Sequence, residues 1–155
     1  MTWVIPKFGP VKVAVIGLPN SGKTTFAVQL ATILKAVHFN ADDIRNNINK
    51  DLGFALEDRL EQARRLGHLC NIVNRAEHHA IADFVCPTIE TRQAFNASHY
   101  IWLNTSRDTQ YADTKALFVP PSVEEFMGTS SKFLSVPSFT YSLANVVDWL
   151  AGGVS

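Results

Sequence analysis

The chain has 155 residues, of which 46% are hydrophobic, a size and composition typical of one globular domain with a full core. Its 14 basic and 14 acidic side chains give a formal net charge of zero, and no long basic run interrupts that balance. Tight nucleic-acid binding is therefore not expected, because non-specific affinity grows with the number of phosphates that basic side chains neutralise. A small nucleotide remains compatible with these totals, since it needs only a few local charges.

The cysteines and the apolar runs indicate the compartment. Cys70 and Cys86 lie in apolar surroundings, without the spacing of metal ligands, so we expect two reduced and packed thiols. No apolar run approaches membrane-spanning length, and the N-terminus lacks the apolar core of a signal peptide. These features favour a cytoplasmic protein that does not bind membranes.

The first regular elements surround a glycine-rich segment. Residues 1–10 contain several prolines and glycines and are predicted to form an extended lead-in. Residues 11–16 are apolar and β-branched, which predicts a buried strand, and residues 25–34 have the spacing and length of a helix. The segment between them fits the pattern G-x-x-x-x-G-K-[ST] of a phosphate-binding loop, with its flanking strand and helix in the expected places.

This loop predicts the binding of ATP and Mg²⁺. Gly17 and Gly22 allow successive backbone N–H groups to point inward at a helix N-terminus, where anions are stabilised. We expect Lys23 to reach the β- and γ-phosphates and the Thr24 hydroxyl to ligate Mg²⁺. The candidate ATP-binding residues are Gly17, Leu18, Pro19, Asn20, Ser21, Gly22, Lys23, Thr24 and Thr25. The alternative is a glycine turn that binds nothing.

A second group of candidate residues follows the next strand. Residues 37–39 form a short predicted strand, and residues 42–49 a short helix. Ligands of open α/β sheets bind outside the carboxyl ends of the strands, which places Asp42 and Arg45 near the phosphate loop. Asp42 is a candidate catalytic residue together with Lys23, because a carboxylate can orient an attacking hydroxyl group and accept its proton. The alternative for Asp42 is a helix N-cap.

The rest of the chain continues the alternation of strands and helices. Further helices are predicted over residues 56–78, 90–96 and 143–150, the last two capped by Thr88 and Ser142. Further strands are predicted over residues 80–86, 99–104 and 133–141, the last an edge strand or a broken one because it contains Pro137. Residues 105–121 are polar and irregular, which favours a lid over the active site, and residues 152–155 are expected to form a flexible tail.

This order of elements predicts the fold class. Strands that alternate with helices indicate a mainly parallel, five-stranded sheet covered on both faces, which is a three-layer α/β/α arrangement. With the phosphate loop after the first strand, we predict a P-loop NTPase fold in a single kinase domain over residues 1–155.

Over roughly residues 11–104 the chain resembles the adenylylsulfate kinases. That family has segments Asp-Gly-Asp-x-x-Arg, Leu-Asn-Arg-Asp-Leu-Gly-Phe, Glu-Asp-Arg, a paired arginine and Ile-Ser-Pro-Phe/Tyr-Arg-x-x-Arg. The corresponding segments here are Asn-Ala-Asp-Asp-Ile-Arg at 40–45, Ile-Asn-Lys-Asp-Leu-Gly-Phe at 48–54, Glu-Asp-Arg at 57–59, Arg-Arg at 64–65 and Val-Cys-Pro-Thr-Ile-Glu-Thr-Arg at 85–92.

The resemblance implies transfer of the γ-phosphate of ATP to the 3′-hydroxyl of adenosine 5′-phosphosulfate. By position, it implies that Asp42 lies near the acceptor hydroxyl and the metal, that Arg45 and Arg59 hold the acceptor, and that Phe54 stacks on its adenine. The full set of candidate acceptor-binding residues is Asp42, Arg45, Phe54, Arg59, Gln62, Cys86 and Lys115. Arg92 is expected either to contact ATP or to serve packing.

The chain also departs from the family pattern. Asn40 and Ala41 replace the family's first Asp and Gly, and the long family lid with its Asp-x-x-Gly-Leu-Tyr-Lys segment is replaced by a shorter and different stretch at 108–118. Two alternatives therefore stay open: a kinase for another small hydroxyl compound or nucleotide, and a nucleotide-binding module without catalysis. A homodimer is compatible with the size of the chain.

Overall fold

Five parallel strands form the sheet. The strands are β1 (Lys12–Ile16), β2 (Val37–Asn40), β3 (Ala80–Phe84), β4 (His99–Leu103) and β5 (Lys132–Val136). The computed structural model describes residues 7–105 and 112–152, and within them the strand order is β2-β3-β1-β4-β5 with every neighbouring pair parallel. β1 therefore lies at the centre of the sheet, and β5 lies at an edge and ends before Pro137, as the sequence predicts.

Helices cover both faces of this sheet. They are α1 (Lys23–Leu34), α2 (Ala41–Asn47), α3 (Leu56–Arg75), α4 (Ile89–Phe95), α5 (Ala112–Leu117), α6 (Val123–Phe126) and α7 (Leu143–Leu150). On one face, α1 and α7 pack against Val13, Val15 and Ile101 in one apolar cluster. On the other, α2, α3 and α4 pack against Ala14 and Ile16 in a second cluster. The predicted three-layer α/β/α fold is confirmed.

The strand register places the polar residues that follow β1, β2 and β3 at the same edge of the sheet. Ile16 pairs with Phe84, and Asn40 pairs with Asp83 across β2 and β3. Because the strands are parallel, their carboxyl ends meet at this edge, where a doubly wound fold binds its ligand.

Two helices begin at the N-cap residues that the local sequence predicts. The Thr88 hydroxyl accepts from the Thr91 N–H while the Thr91 hydroxyl accepts from the Thr88 N–H, which is a capping box for α4. The Ser142 hydroxyl accepts from the Asn145 N–H at the start of α7. Both predicted caps are thus in place.

Several boundaries and one segment differ from the sequence predictions, and β5 ends at Val136 where the strand was predicted to continue to residue 141. β3 ends at Phe84 instead of residue 86, because Cys86 has φ +48 and leaves the extended conformation. α3 ends at Arg75, three residues earlier than predicted. The stretch 105–121, predicted to be irregular, contains the helix α5. Near the end of this stretch the Val119 N–H donates to the Pro87 carbonyl oxygen at 2.6 Å, which ties it to the turn after β3.

Some predictions fall on parts of the chain outside the described residues. These are most of the extended lead-in (residues 1–6), one part of the candidate lid (106–111) and most of the tail (153–155). None of the described helices combines the length and the apolar character that a membrane crossing requires.

Candidate active site

The phosphate loop adopts backbone conformations that only its own residue types permit. Gly17 has φ +153 and approaches β4 so closely that an added Cβ would lie 2.9 Å from the Leu103 carbonyl oxygen. Gly22 has φ +90 and stands immediately before α1. Asn20, a residue type that tolerates the left-handed region, has φ +67. The loop therefore reverses the chain at the end of β1 and directs the start of α1 toward the cleft.

Lys23 is the first residue of α1 and lines the cleft. Its Nζ donates to the Leu18 carbonyl oxygen at 2.9 Å, which folds the side chain back over the loop. Burial lowers the pKa of this ammonium group to about 8, against the opposing effects of the nearby Asp83 and Asp42 carboxylates. A partly desolvated cation at a helix N-terminus is suited to bind a phosphate anion.

Thr24 meets a buried carboxylate that the sequence analysis did not single out. Its Oγ1 donates to Asp83 Oδ1 at 2.9 Å, and Asn40 Nδ2 donates to Asp83 Oδ1 at 3.1 Å and to Thr24 Oγ1 at 3.2 Å. Asp83, at the carboxyl half of β3, has only 2% of its surface exposed. An acidic residue near the end of an otherwise apolar strand is the sequence signal that could have identified it.

The oxygen atoms around Thr24 fit a Mg²⁺ ion. Hydroxyl and carboxylate oxygens are the ligands that this hard cation prefers, and it ordinarily keeps several waters and takes phosphate oxygens beside one or two carboxylates. Residues 7–105 and 112–152 contain no cluster of three or more His, Cys, Asp or Glu that could hold a metal ion. Thr24 and Asp83 are the residues that would hold the ion, and Asp42 lines the same cleft.

Asn40, and not Asp42, is the N-cap of α2. The Asn40 side-chain oxygen accepts from the Asp43 N–H at 2.9 Å. Asp42 lies in the first turn of the helix and lines the cleft with 83% of its side chain exposed. Its carboxylate is 3.9 Å from Arg45 Nη1. The alternative role for Asp42 as a helix cap is thus filled by another residue, and its carboxylate can meet a ligand.

Arg45, Phe54 and Arg59 form a second group of cleft-lining residues, in which both arginines contact the phenylalanine ring. The guanidinium carbons of Arg45 and Arg59 lie 4.3 Å and 5.6 Å from the centre of the Phe54 ring, and Arg59 Nε donates to the Phe54 carbonyl oxygen at 2.8 Å. The Nε of Arg45 is buried and has no hydrogen-bond partner among the residues that the structure describes. Burial lowers the pKa of both arginines, and for Arg59 the neighbouring Arg45 charge lowers it further. Two such cations favour an anionic ligand.

Gln62 and Cys86 also line the cleft, but each is held by the protein. Gln62 accepts from Asn49 Nδ2 at 2.7 Å and donates to the Ala41 carbonyl oxygen at 3.0 Å, so both ends of its amide are used. The Cys86 thiol is buried, and burial raises its pKa to about 12. Both residues therefore shape the cleft, and Cys86 is a neutral thiol at ordinary pH.

The segment after β4 contributes one residue that sequence reasoning missed. Thr114 on α5 lines the cleft, and Arg59 Nη2 lies 3.4 Å from its hydroxyl oxygen. Lys115, the candidate from the same helix, is exposed and is not among the cleft-lining residues. The sequence gives no period or motif here that would distinguish the two.

Arg92 lies beneath the cleft and does not line it. It is 1% exposed and forms two hydrogen bonds with the Glu125 carboxylate, at 2.7 and 2.9 Å. Its other donors reach the carbonyl oxygens of Cys86 and Val119, each at 2.9 Å. Of the two alternatives for Arg92, the structure favours packing over ATP contact, because these partners occupy the guanidinium.

All of these cleft residues surround one cavity of about 1030 Å³. The phosphate loop with Lys23, Thr24 and Thr25 forms one side, and the cluster of Arg45, Phe54 and Arg59 forms another. Ligand cavities for single small molecules are typically about 300–1000 Å³. The cleft lies at the upper end of that range, which is enough for a nucleotide.

Comparisons with known proteins give the same picture. The adenylylsulphate kinase family matches residues 9–118. An adenylyl-sulfate kinase of Shewanella baltica is 32% identical over 80% of this chain and 68% of its own length, and one of Staphylococcus haemolyticus is 30% identical over 76% and 66%.

Solved structures support the fold. The Mycobacterium tuberculosis APS kinase in complex with AMPPNP and APS has a TM-score of 0.67 at 20% identity, covering 91% of this chain and 96% of that chain. A gluconokinase from Sinorhizobium meliloti has a TM-score of 0.62 at 12% identity, covering 95% and 93%. Since both are under 25% identical, they speak for the fold and leave the acceptor to be argued from the cleft.

Proposed function

Because the chain belongs to the adenylylsulphate kinase family, we propose that it transfers the γ-phosphate of ATP to the 3′-hydroxyl of adenosine 5′-phosphosulfate (APS), with Mg²⁺ bound. The observation that carries this proposal is the shared cleft. Its lining combines a phosphate-binding loop with a cluster of two arginines and one phenylalanine and with an exposed aspartate.

The donor side neutralises the charge of the phosphates. The backbone N–H groups of the loop and the Lys23 ammonium bind the β- and γ-phosphates, and Mg²⁺, which Thr24 and Asp83 would hold, would supply positive charge that offsets the developing negative charge. Because phosphoryl transfer requires little covalent chemistry from the protein, catalysis depends on this neutralisation and on positioning.

The acceptor side orients the attacking group. Arg45 and Arg59 present paired donors in a plane, which suits the phosphate and sulfate oxygens of APS. Phe54 is 62% exposed, so its apolar ring is available to stack on an adenine ring. Asp42 accepts a hydrogen bond from the attacking hydroxyl and takes its proton as the new bond to phosphorus forms.

Transfer of labelled γ-phosphate to APS tests the function. The purified protein is expected to label APS in the presence of Mg²⁺, and Lys23→Ala is expected to abolish that labelling while leaving the protein folded. Lys115→Ala, which changes an exposed lysine outside the cleft lining, is the matched control and should retain activity. An active Lys23→Ala variant would refute the role assigned to the loop.

One observation favours a different acceptor as the second candidate. Thr114 of α5 enters the cleft beside Arg59 from the segment that departs most from the family pattern. A panel of nucleotides and other hydroxyl compounds, assayed beside APS, decides between the two. Preference for another compound by a wide margin would replace APS, and nucleotide binding without transfer to any acceptor would indicate a non-catalytic module.

The setting and assembly of the protein are part of the proposal. Cys70 and Cys86 are both free and buried, which supports a reducing, cytoplasmic location. A homodimer stays a prediction that sedimentation of the full chain can test.

A further inference from the structure

His38, on the strand β2, contacts Asp83, a carboxylate that lines the cleft. Its Nε2 lies 2.5 Å from Asp83 Oδ2, and 18% of its side chain is exposed. The Asp83 carboxylate can only accept hydrogen bonds in its ionised form, so the imidazole donates from Nε2. His38 and Asn40 are two residues apart on one strand and both donate to this carboxylate.

These contacts leave Asp83 little freedom. Oδ1 accepts from Thr24 and Asn40, and Oδ2 accepts from His38 and, at 3.3 Å, from Asn40. Without His38, the side-chain donors that the described structure gives to Oδ2 reduce to the longer bond from Asn40. The position of the carboxylate therefore depends on the imidazole.

The same carboxylate fixes the hydroxyl of Thr24. Because the Thr24 proton is used in the bond to Asp83, the lone pairs of Oγ1 are directed away from Asp83. One of them accepts from Asn40 Nδ2 at 3.2 Å, and because Thr24 is exposed and lines the cleft, the other is accessible to a cation there. Groups that orient metal ligands without touching the metal commonly change metal affinity by about 10- to 100-fold.

We propose that His38 is a positioning residue for the Mg²⁺-loaded nucleotide, acting through Asp83 on the Thr24 hydroxyl. The inference rests on the proposed function, because it assumes that the loop binds ATP with its metal. His38 belongs to none of the sequence motifs. The proposal requires a hydrogen-bond donor at the position that Nε2 occupies.

The test uses two polar variants that differ in reach. The amide nitrogen of His38→Gln can occupy nearly the position of Nε2, whereas that of His38→Asn is too short. Binding of AMPPNP is measured by calorimetry with saturating Mg²⁺ and again with EDTA, and the ratio of the two affinities gives the gain due to the metal.

We expect His38→Gln to keep the gain of the wild type and His38→Asn to reduce it about 10-fold, with affinity in EDTA unchanged within about two-fold. His68→Asn, at an exposed position on α3, is the control and should behave as wild type. If His38→Asn unfolds, His38→Leu, which removes the donor and keeps a side chain of similar size, serves instead, and we expect the same reduction of the gain by about 10-fold.

The outcomes separate this inference from the proposed function. An equal gain with Mg²⁺ in wild type and His38→Asn would overturn the positioning role alone. An equal loss in Mg²⁺ and in EDTA would also overturn it, because His38 would then support the loop and not the metal. Failure of the wild type to bind AMPPNP at all would remove the proposed function together with it.

Discussion

Single residues of the cleft differ in how much their surroundings change their chemistry. Burial lowers the pKa of Lys23 to about 8, so its charge titrates near neutral pH, whereas a solvated lysine would not. Asn40 combines two roles, since its oxygen caps α2 and its amide nitrogen donates to Asp83. The resemblance aligns an aspartate of the family with Asn40. In this chain the neighbouring carboxylate belongs to Asp83, which pairs with Asn40 across β2 and β3.

The Lys23 pKa predicts a proton linked to nucleotide binding. A bound phosphate favours the charged ammonium and raises its pKa, so above about pH 8 the protein must take up a proton when it binds. Affinity for AMPPNP should therefore fall as pH rises above 8, by at most about 10-fold per pH unit. Calorimetry at about pH 8.5 in two buffers of different ionisation enthalpy measures the uptake.

Two variants control the assignment of that proton. Lys115→Met should retain the uptake, because Lys115 is exposed outside the cleft lining. Lys23→Met should lose it along with most of the affinity. Uptake that persists in Lys23→Met would assign the proton to another group.

At the scale of elements, α4 connects the turn after β3, the helix α6 and the helix α3. It begins at a capping box, and its Arg92 links the turn after β3 to α6 through Cys86 and Glu125. Its C-terminal end packs against α3 at Gly67, where an added Cβ would lie 2.5 Å from the Phe95 carbonyl oxygen. The position of α4 therefore determines the shape of the cleft beneath Cys86.

Replacing Gly67 by alanine should destabilise the protein. In an exposed helix this change is stabilising by about 1 kcal/mol, but here the methyl group collides with backbone and α3 must shift away from α4. We expect a loss of about 1–3 kcal/mol in the free energy of unfolding, measured by urea denaturation. Gly9→Ala, which meets no atom of the described residues within 4 Å, should change stability little, and a neutral Gly67→Ala would contradict the close contact.

Removal of Arg92 should be more costly. Arg92→Met leaves the Glu125 carboxylate, only 9% exposed, without its charge partner, and we expect a loss of about 3–5 kcal/mol. Changing both residues to methionine should recover much of that loss, because a buried pair replaced by apolar groups is often close to neutral. A double-mutant cycle in urea measures the coupling; a Glu125→Met change that gives no recovery would disprove it.

Across the whole molecule, the sheet separates two apolar clusters and gathers the functional groups at one edge. The cluster with α1 and α7 supports the phosphate loop, and the cluster with α2, α3 and α4 supports the Arg45, Phe54 and Arg59 side. A ligand in the cleft contacts elements from both layers. Binding should therefore stabilise the folded molecule as a unit.

Thermal unfolding measures this effect. AMPPNP with Mg²⁺ at about 100 times its dissociation constant should add about 2.7 kcal/mol, which for a chain of this size raises Tm by about 5–11 °C. Lys23→Ala should show only a small rise at the same concentrations. The true acceptor should add a further shift in the presence of AMPPNP, and a panel in which none does would count against a second substrate site.

The sequence by itself determined the phosphate loop, the alternation of strands and helices, the edge position of the strand next to Pro137, and the caps at Thr88 and Ser142. These follow from patterns within a few residues, such as apolar periods, glycines and hydroxyl side chains, which act locally. The placement of Asp42 and Arg45 on the cleft was also predictable, since carboxyl ends of parallel strands share one edge, whereas Phe54 was expected there only from the family resemblance.

Only the tertiary structure decided which distant groups meet there. Asp83 comes to Thr24 from 59 positions away, and His38 comes to Asp83 from the neighbouring strand. Thr114 enters the cleft, and Arg92 turns to Glu125 instead, although neither lies in a pattern that distinguishes it. The physical reason is that hydrogen bonds and charge pairs between remote segments depend on strand order and helix packing, which no local period encodes.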